Sequence, residues 1–103
     1  MKKYVASLLL CSLAGTAMAI DDYSKSVNKL GVQSGVAYFG IKEGFGVNCK
    51  YEIIYIDITT DFGRLAYSNI LSAKAAGLKL SWVNYTQASL GGICSLNLVE
   101  VGE

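Results

Sequence analysis

Only two cysteines, Cys49 and Cys94, remain in this chain once its first 19 residues are set aside, and two cysteines can pair in only one way. Met1-Lys2-Lys3 is a positive n-region, Val5 to Leu13 an apolar run, and Ala17-Met18-Ala19 a small-x-small cleavage site. Residues 1–19 therefore read as an export signal, with the mature chain expected to begin at Ile20 and Cys11 lost with the leader. The short n-region is of the bacterial kind, which makes the expected destination the periplasm or the medium. A membrane anchor is the competing reading of the leader, but the run from Tyr4 to Ile20 contains Ser12, Gly15 and Thr16 and is short for a span. Lipidation at Cys11 is disfavoured by Leu10, which stands where a small residue is expected. No membrane span is thus expected after signal cleavage. In an oxidising compartment an even pair of cysteines reads as a disulfide. A Cys49–Cys94 link closes a loop of 46 residues, worth about 4 kcal/mol if its effect is mainly on unfolded-chain entropy. A mature chain of 84 residues has a thin core, so one such link has a large share in its stability. A redox-active or metal-binding pair would call for a C-x-x-C spacing that is absent.

Composition excludes several function classes. Nine Lys and Arg face eight Asp and Glu over the whole chain, and after loss of Lys2 and Lys3 the balance becomes seven against eight. A near-neutral chain lacks the electrostatic footprint of a nucleic-acid or anionic-membrane binder. The chain has no histidine, which removes the imidazole base, His-containing zinc sites and Cys-His nucleophile pairs. No nucleophile motif is present, so no catalytic residue, metal or cofactor is expected and the chain does not read as an enzyme.

With no proline, repeat or linker after Ile20, residues 20–103 read as one domain. Asp21 to Asn28 is polar and reads as an ordered lead-in or a frayed arm. From Leu30 to Ile41 apolar residues occupy both parities, as in a strand twisted or bulged near Gly31 and Gly35. Lys42-Glu43-Gly44-Phe45-Gly46 is expected to turn the chain into a return strand over Val47 to Ile58. Tyr51 to Ile58, apolar on both faces, reads as its central part, with Ile54, Ile56 and Ile58 beneath a helix and Tyr51, Ile53 and Tyr55 opposite.

Thr59-Thr60-Asp61 offers N-caps and a charge for the positive helix end, and Gly77 a stop. Between them Phe62, Ala66, Ile70 and Ala73, with Leu65 alongside, form an apolar stripe, and Gly63 reads as a weakness in the first turn. Leu78 to Tyr85 alternates as a strand with Leu78, Leu80 and Trp82 on one face. Thr86 to Gly92 reads as a turn, and Ile93 to Val101 as the last strand with Cys94, Leu96 and Leu98 together. The fold expected is mainly β (β-rich α+β), in the order ββαββ, an antiparallel small barrel or curled sheet around one helix.

Cys49 before Tyr55-Ile56-Asp57, then Thr59-x-x-x-Gly63-Arg64, Tyr67-Ser68, Ala73-Lys74-Ala75-Ala76-Gly77, a strand and Cys94, resembles small exported proteins of Gram-negative bacteria. These are similar to the binding (B) subunits of subtilase cytotoxin and related pertussis-like toxins, and the resemblance covers about residues 28 to 101. It implies an oligonucleotide/oligosaccharide-binding (OB) barrel, five copies in a ring, and recognition of sialylated glycans beside a separate enzymatic subunit. No sugar-binding residue of that family is carried onto a position of this chain.

On their own chemistry, Trp82, Tyr85, Thr86 and Gln87 offer a flat aromatic beside hydroxyl and amide groups, suited to stacking on a sugar and bonding its hydroxyls. The bland alternative makes Trp82 a core residue and Tyr85 to Gln87 a solvated turn. Arg64, the one arginine, is placed to clamp a carboxylate such as sialate, or to pair with Asp61 or Asp57. Asp57 and Asp61 read as a strand-end aspartate and a helix-dipole partner rather than as a glycosidase pair. Tyr38, Tyr51 and Tyr55 form a further aromatic set, for recognition or for contacts between copies. The expected function is that of an exported, non-catalytic binding module for a glycan or a partner protein, with self-association into a homo-oligomer, a pentamer if toxin-like, as a further expectation. The alternative is a periplasmic structural or inhibitor-like protein.

Overall fold

The computed structural model describes residues 17–102. The n-region, the apolar run of the signal, Cys11 and Glu103 lie outside the described residues. Six strands, β1 (Met18–Lys25), β2 (Val27–Gln33), β3 (Val36–Ile41), β4 (Ile54–Asp57), β5 (Leu80–Gln87) and β6 (Cys94–Val101), surround one helix, α1 (Asp61–Ala76). They form a single sheet in the order β1-β5-β6-β4-β3-β2. Neighbours are antiparallel except β4 and β6, which run parallel. The protein is mainly β, an open curled sheet with one helix. Of the two arrangements the sequence allows, the closed barrel is not formed by the described strands, because β1 and β2 remain edges. No helix among the described residues is long and apolar enough to cross a membrane.

The order is ββββαββ, two strands more than the sequence reading placed before the helix. The polar segment from Asp21 is not a frayed arm: it forms most of β1, paired with β5. The expected single strand from Leu30 to Ile41 is a hairpin, folded between Gln33 and Val36 with Gly35 at φ 72. A left-handed residue in a two-residue turn suits glycine. The expected strand from Val47 is shorter than its β-branched run suggests. Cys49 is bonded to Cys94, the Lys50 N–H donates to the Gly92 carbonyl oxygen, and Tyr51 and Glu52 turn the chain at positive φ before β4 begins. Tyr51 is accordingly exposed rather than packed on a sheet face.

Helix α1 starts and stops where its caps require. The Thr60 hydroxyl accepts from the Gly63 N–H at 3.0 Å. Asp61 places a negative charge in the first turn, and Gly77 takes the left-handed conformation at φ 70 while the Leu78 N–H donates to the Ala73 carbonyl oxygen. Gly63, Ala66, Ile70 and Ala73 are buried against the sheet. Ala66, Ile70 and Ala73 belong to one core with Ala37, Phe39, Ile54, Ile56, Val83, Leu96 and the disulfide. Phe62 and Leu65, expected in the apolar stripe, face solvent at 45% and 68% exposure. The line of small side chains explains this rotation, because it lets the helix axis approach the sheet more closely than a phenylalanine would permit. Gly63 is the tightest point: a methyl group there would overlap the Asp57 carbonyl oxygen. The glycine that reads locally as a helix weakness is therefore required by the strand beneath it.

Two bulges set which side chains face the core. One, between Leu80 and Trp82, leaves Leu80 buried and sends Trp82 to the opposite face, against the simple alternation of Leu78, Leu80 and Trp82. The other, opposite Asn84 and Tyr85, lets Leu98 pair with outward Asn84 while Val99 and Val101 turn to the core. Leu78 precedes β5 and is exposed.

Gly63→Ala should lower stability by about 1–3 kcal/mol, the usual range for forcing atoms into a packed site. The measurement is urea unfolding of the oxidised protein. A neutral or stabilising effect, as helix propensity alone would give, would contradict this contact.

Candidate binding face

The sheet buries one face under α1 and the 42–49 loop and leaves the other partly open. Residues of β5 divide between them by parity: Val83, Tyr85 and Gln87 are buried, while Trp82, Asn84 and Thr86 reach the outer face. The five proposed ligand residues are therefore not brought together. Trp82 and Thr86 share the outer face. Tyr85 and Gln87 point inward, at 0% and 2% exposure, and are strand residues rather than turn residues. Arg64 stands at the start of α1, ion-paired with Asp61 and donating to the Ile58 carbonyl oxygen at 3.2 Å.

The inward residues are structural. Asp22, 7% exposed, accepts the Tyr85 hydroxyl on Oδ2 at 2.6 Å and the Gly46 N–H on both carboxylate oxygens, at 3.1 and 3.0 Å. This carboxylate joins β1, β5 and the loop after β3. Phe45 packs edge to face on Tyr85 at 5.6 Å and on Phe39 at 6.3 Å. Burial, and then the bond to the Asp22 carboxylate, push the Tyr85 hydroxyl well above the ordinary tyrosine range. Gln87 Nε2 donates to the carbonyl oxygens of Asn48 and Gly92, at 2.9 and 3.2 Å, beside the disulfide. These groups meet the rule that a buried polar atom be hydrogen-bonded, and no buried side-chain polar atom among the described residues lacks a partner.

On the outer face β1 supplies what the sequence reading missed. Asp21 Oδ1 accepts from Trp82 Nε1 at 2.7 Å and from Asn84 Nδ2 at 2.8 Å. Asn97 Nδ2 donates to Asn84 Oδ1 at 3.1 Å and to Thr86 Oγ1 at 2.6 Å. The bonds from Asn84 and then Trp82 hold the Asp21 carboxyl below its usual range, so it stays ionised. Tyr23 lies nearly parallel to Trp82, with centroids 6.4 Å apart and an interplanar angle of 18°. The face thus presents a flat aromatic pair beside a connected row of carboxylate, amide and hydroxyl groups. Such a surface has the chemistry to stack on an apolar ring face and to bond hydroxyl groups. The missed signal was available: once Asp21 to Lys25 is read as a strand, Asp21 and Tyr23 share a face, as do Trp82, Asn84 and Thr86.

The carboxylates beside the helix do not form an acid–base pair. Asp57 accepts from the Thr59 N–H at 3.0 Å and from its hydroxyl at 2.5 Å, bonds that hold its carboxyl below the usual range, and Asp61 is paired with Arg64. No family model, no curated protein and no solved structure matches this chain.

Because folding raises the Tyr85 value, the native state binds the hydroxyl proton more tightly than the unfolded chain. The resulting stability is complete below about pH 10, the unfolded tyrosine value, and is lost as pH rises beyond it. Tyr85→Phe should cost about 2 kcal/mol at neutral pH, the scale of a bond to a charged acceptor. It should also flatten the decline of stability above pH 10. Unfolding curves across that range check both, and equal slopes in the two proteins would refute the assignment.

Proposed function

We propose that this chain is an exported, non-catalytic binding module that recognises glycan through the outer face of β1, β5 and β6. The observation that carries the reading is the parallel Tyr23 and Trp82 pair set beside the hydrogen-bonded row of Asp21, Asn84, Asn97 and Thr86. The row pre-orients its groups before any ligand arrives, which lowers the ordering cost of binding. Asp21 Oδ2 and the side-chain oxygen Asn97 Oδ1 have no intramolecular partner among the described residues, so both are open to a sugar hydroxyl. Export supports the reading, since glycans are abundant outside the cell, and the leader and the disulfide support export.

A protein partner is the second reading, favoured by solvent-facing Phe62 and Leu65 on α1 and by Leu90, 96% exposed in the β5–β6 connection. The toxin-like resemblance would add a ring of five copies. Light scattering on the oxidised chain from Ile20 distinguishes five times the monomer mass from a module acting alone.

A glycan array probed with the oxidised protein should show selective binding. Trp82→Ala should reduce it about 30-fold, roughly the 2 kcal/mol of an aromatic hot spot, with little change in melting temperature because the ring is partly exposed. A blank array across neutral and sialylated sugars would sink the glycan reading.

A further inference from the structure

The outer face carries a second aromatic pair. Tyr38 on β3 and Tyr55 on β4 meet edge to face at 6.2 Å, and the Tyr38 ring lies over Gly31, where any side chain would displace it. Beside Tyr55 the face dips into an open groove of about 650 Å³ lined by Gln33, Val36, Asp57, Ile93 and Ser95, within the size range of small-molecule sites. The register joins the two pairs. Thr86 stands opposite Ser95, Ser95 stands opposite Tyr55, and Trp82 lies four residues back along β5. With strands about 4.8 Å apart and about 3.3 Å per residue, Trp82 and Tyr55 are separated by roughly 16 Å across the sheet. Between them lie the hydroxyl and amide groups of Thr86, Ser95 and Asn97.

Charge narrows the ligand. Asp21 is bonded to Trp82, and Glu100 stands opposite Trp82 on β6, so two carboxylates flank the first aromatic pair. Lys25, the one base on β1, β5 and β6, is opposite inward-facing Leu80. Lys29 lies at the far side of the sheet, opposite Gly40 and beyond Tyr38. Arg64 is engaged by Asp61 on the side occupied by α1. An anionic sugar at Trp82 would meet the carboxylates of Asp21 and Glu100, which disfavours it.

We infer that the outer face binds an uncharged oligosaccharide longer than a disaccharide, running diagonally from the Tyr23 and Trp82 pair to the groove beside Tyr55. The inference rests on the glycan reading above and goes on to name the ligand's charge, length and path. It departs from the sialylated ligands that the toxin resemblance implies.

The test is titration calorimetry on the oxidised protein. The probes are cello-, malto- and N-acetylchito-oligosaccharides from mono- to hexasaccharide, with lactose and sialyllactose as a matched pair. At least one neutral series should gain about tenfold or more in affinity, 1.4 kcal/mol, between disaccharide and tetrasaccharide. Lactose should bind no more weakly than sialyllactose. Tyr55→Ala should weaken the hexasaccharide more than the disaccharide. Ser95→Tyr, at an exposed strand position between the pairs, should do the same without removing a packed ring. Affinity independent of length, equal losses for long and short ligands in both variants, or preference for sialyllactose would overturn the inference and leave glycan binding standing. Absence of binding to every probe, together with a blank array, would remove the glycan reading itself.

Discussion

The buried carboxylate of Asp22 is the contact on which the rest of the molecule turns. It receives the Tyr85 hydroxyl and the Gly46 N–H, and so holds an edge strand, an inner strand and a long loop in one arrangement. A carboxylate taken out of water is tolerated only when bonds replace its hydration, so Asp22 has one acceptable direction in which to point. Alternation does the rest. With Asp22 inward, Asp21 and Tyr23 are outward, and they complete the face that Trp82 and Asn84 begin. A one-residue slip of β1 would expose Asp22, bury Asp21 and separate Tyr23 from Trp82.

The disulfide and Gln87 act on the other end of the same sheet. Cys49 and Cys94 link the loop before β4 to the start of β6, and Gln87 ties Asn48 to Gly92 alongside. Those bonds bring β4 next to β6 although α1 and β5 separate them in the chain, and the two strands share only a short parallel ladder. The covalent link offsets the scarcity of backbone bonds at this junction. It also keeps Tyr55 in line with Ser95 and Thr86, and so keeps the outer face continuous from β1 to β3.

Much of the fold was legible from residues alone. The helix and both its ends follow from Thr60, Asp61 and Gly77, whose capping chemistry is local. The cysteine pair, the last strand, and the burial of Ile54 and Ile56 follow from counting and alternation. What misled was context of two kinds. Asp21 to Lys25 looks solvated because its polar residues do not announce that one of them has a buried partner 63 positions away. Trp82 looks coplanar with Leu80 because a bulge cannot be seen in a simple alternation. The candidate site inherited both errors. Trp82 and Thr86 lie on the outer face with Asp21, Tyr23, Asn84 and Asn97, which local spacing did not group with them, whereas Tyr85 and Gln87 point inward.

The amino-acid sequence by itself determined the local features: where the helix begins and ends, the one possible disulfide in the chain after residue 19, the strand-rich character, and the absence of histidine chemistry. Each depends on neighbours a few residues apart or on composition. Tertiary structure alone decided that the sheet has six strands and stays open, that Gly63 is a close-packing residue, and which side chains share the outer face. Those outcomes depend on Asp22 finding Tyr85, on bulges that reset parity, and on a helix close enough to touch the Asp57 backbone. Such pairings join distant segments through burial and hydrogen-bond satisfaction, which no local spacing encodes.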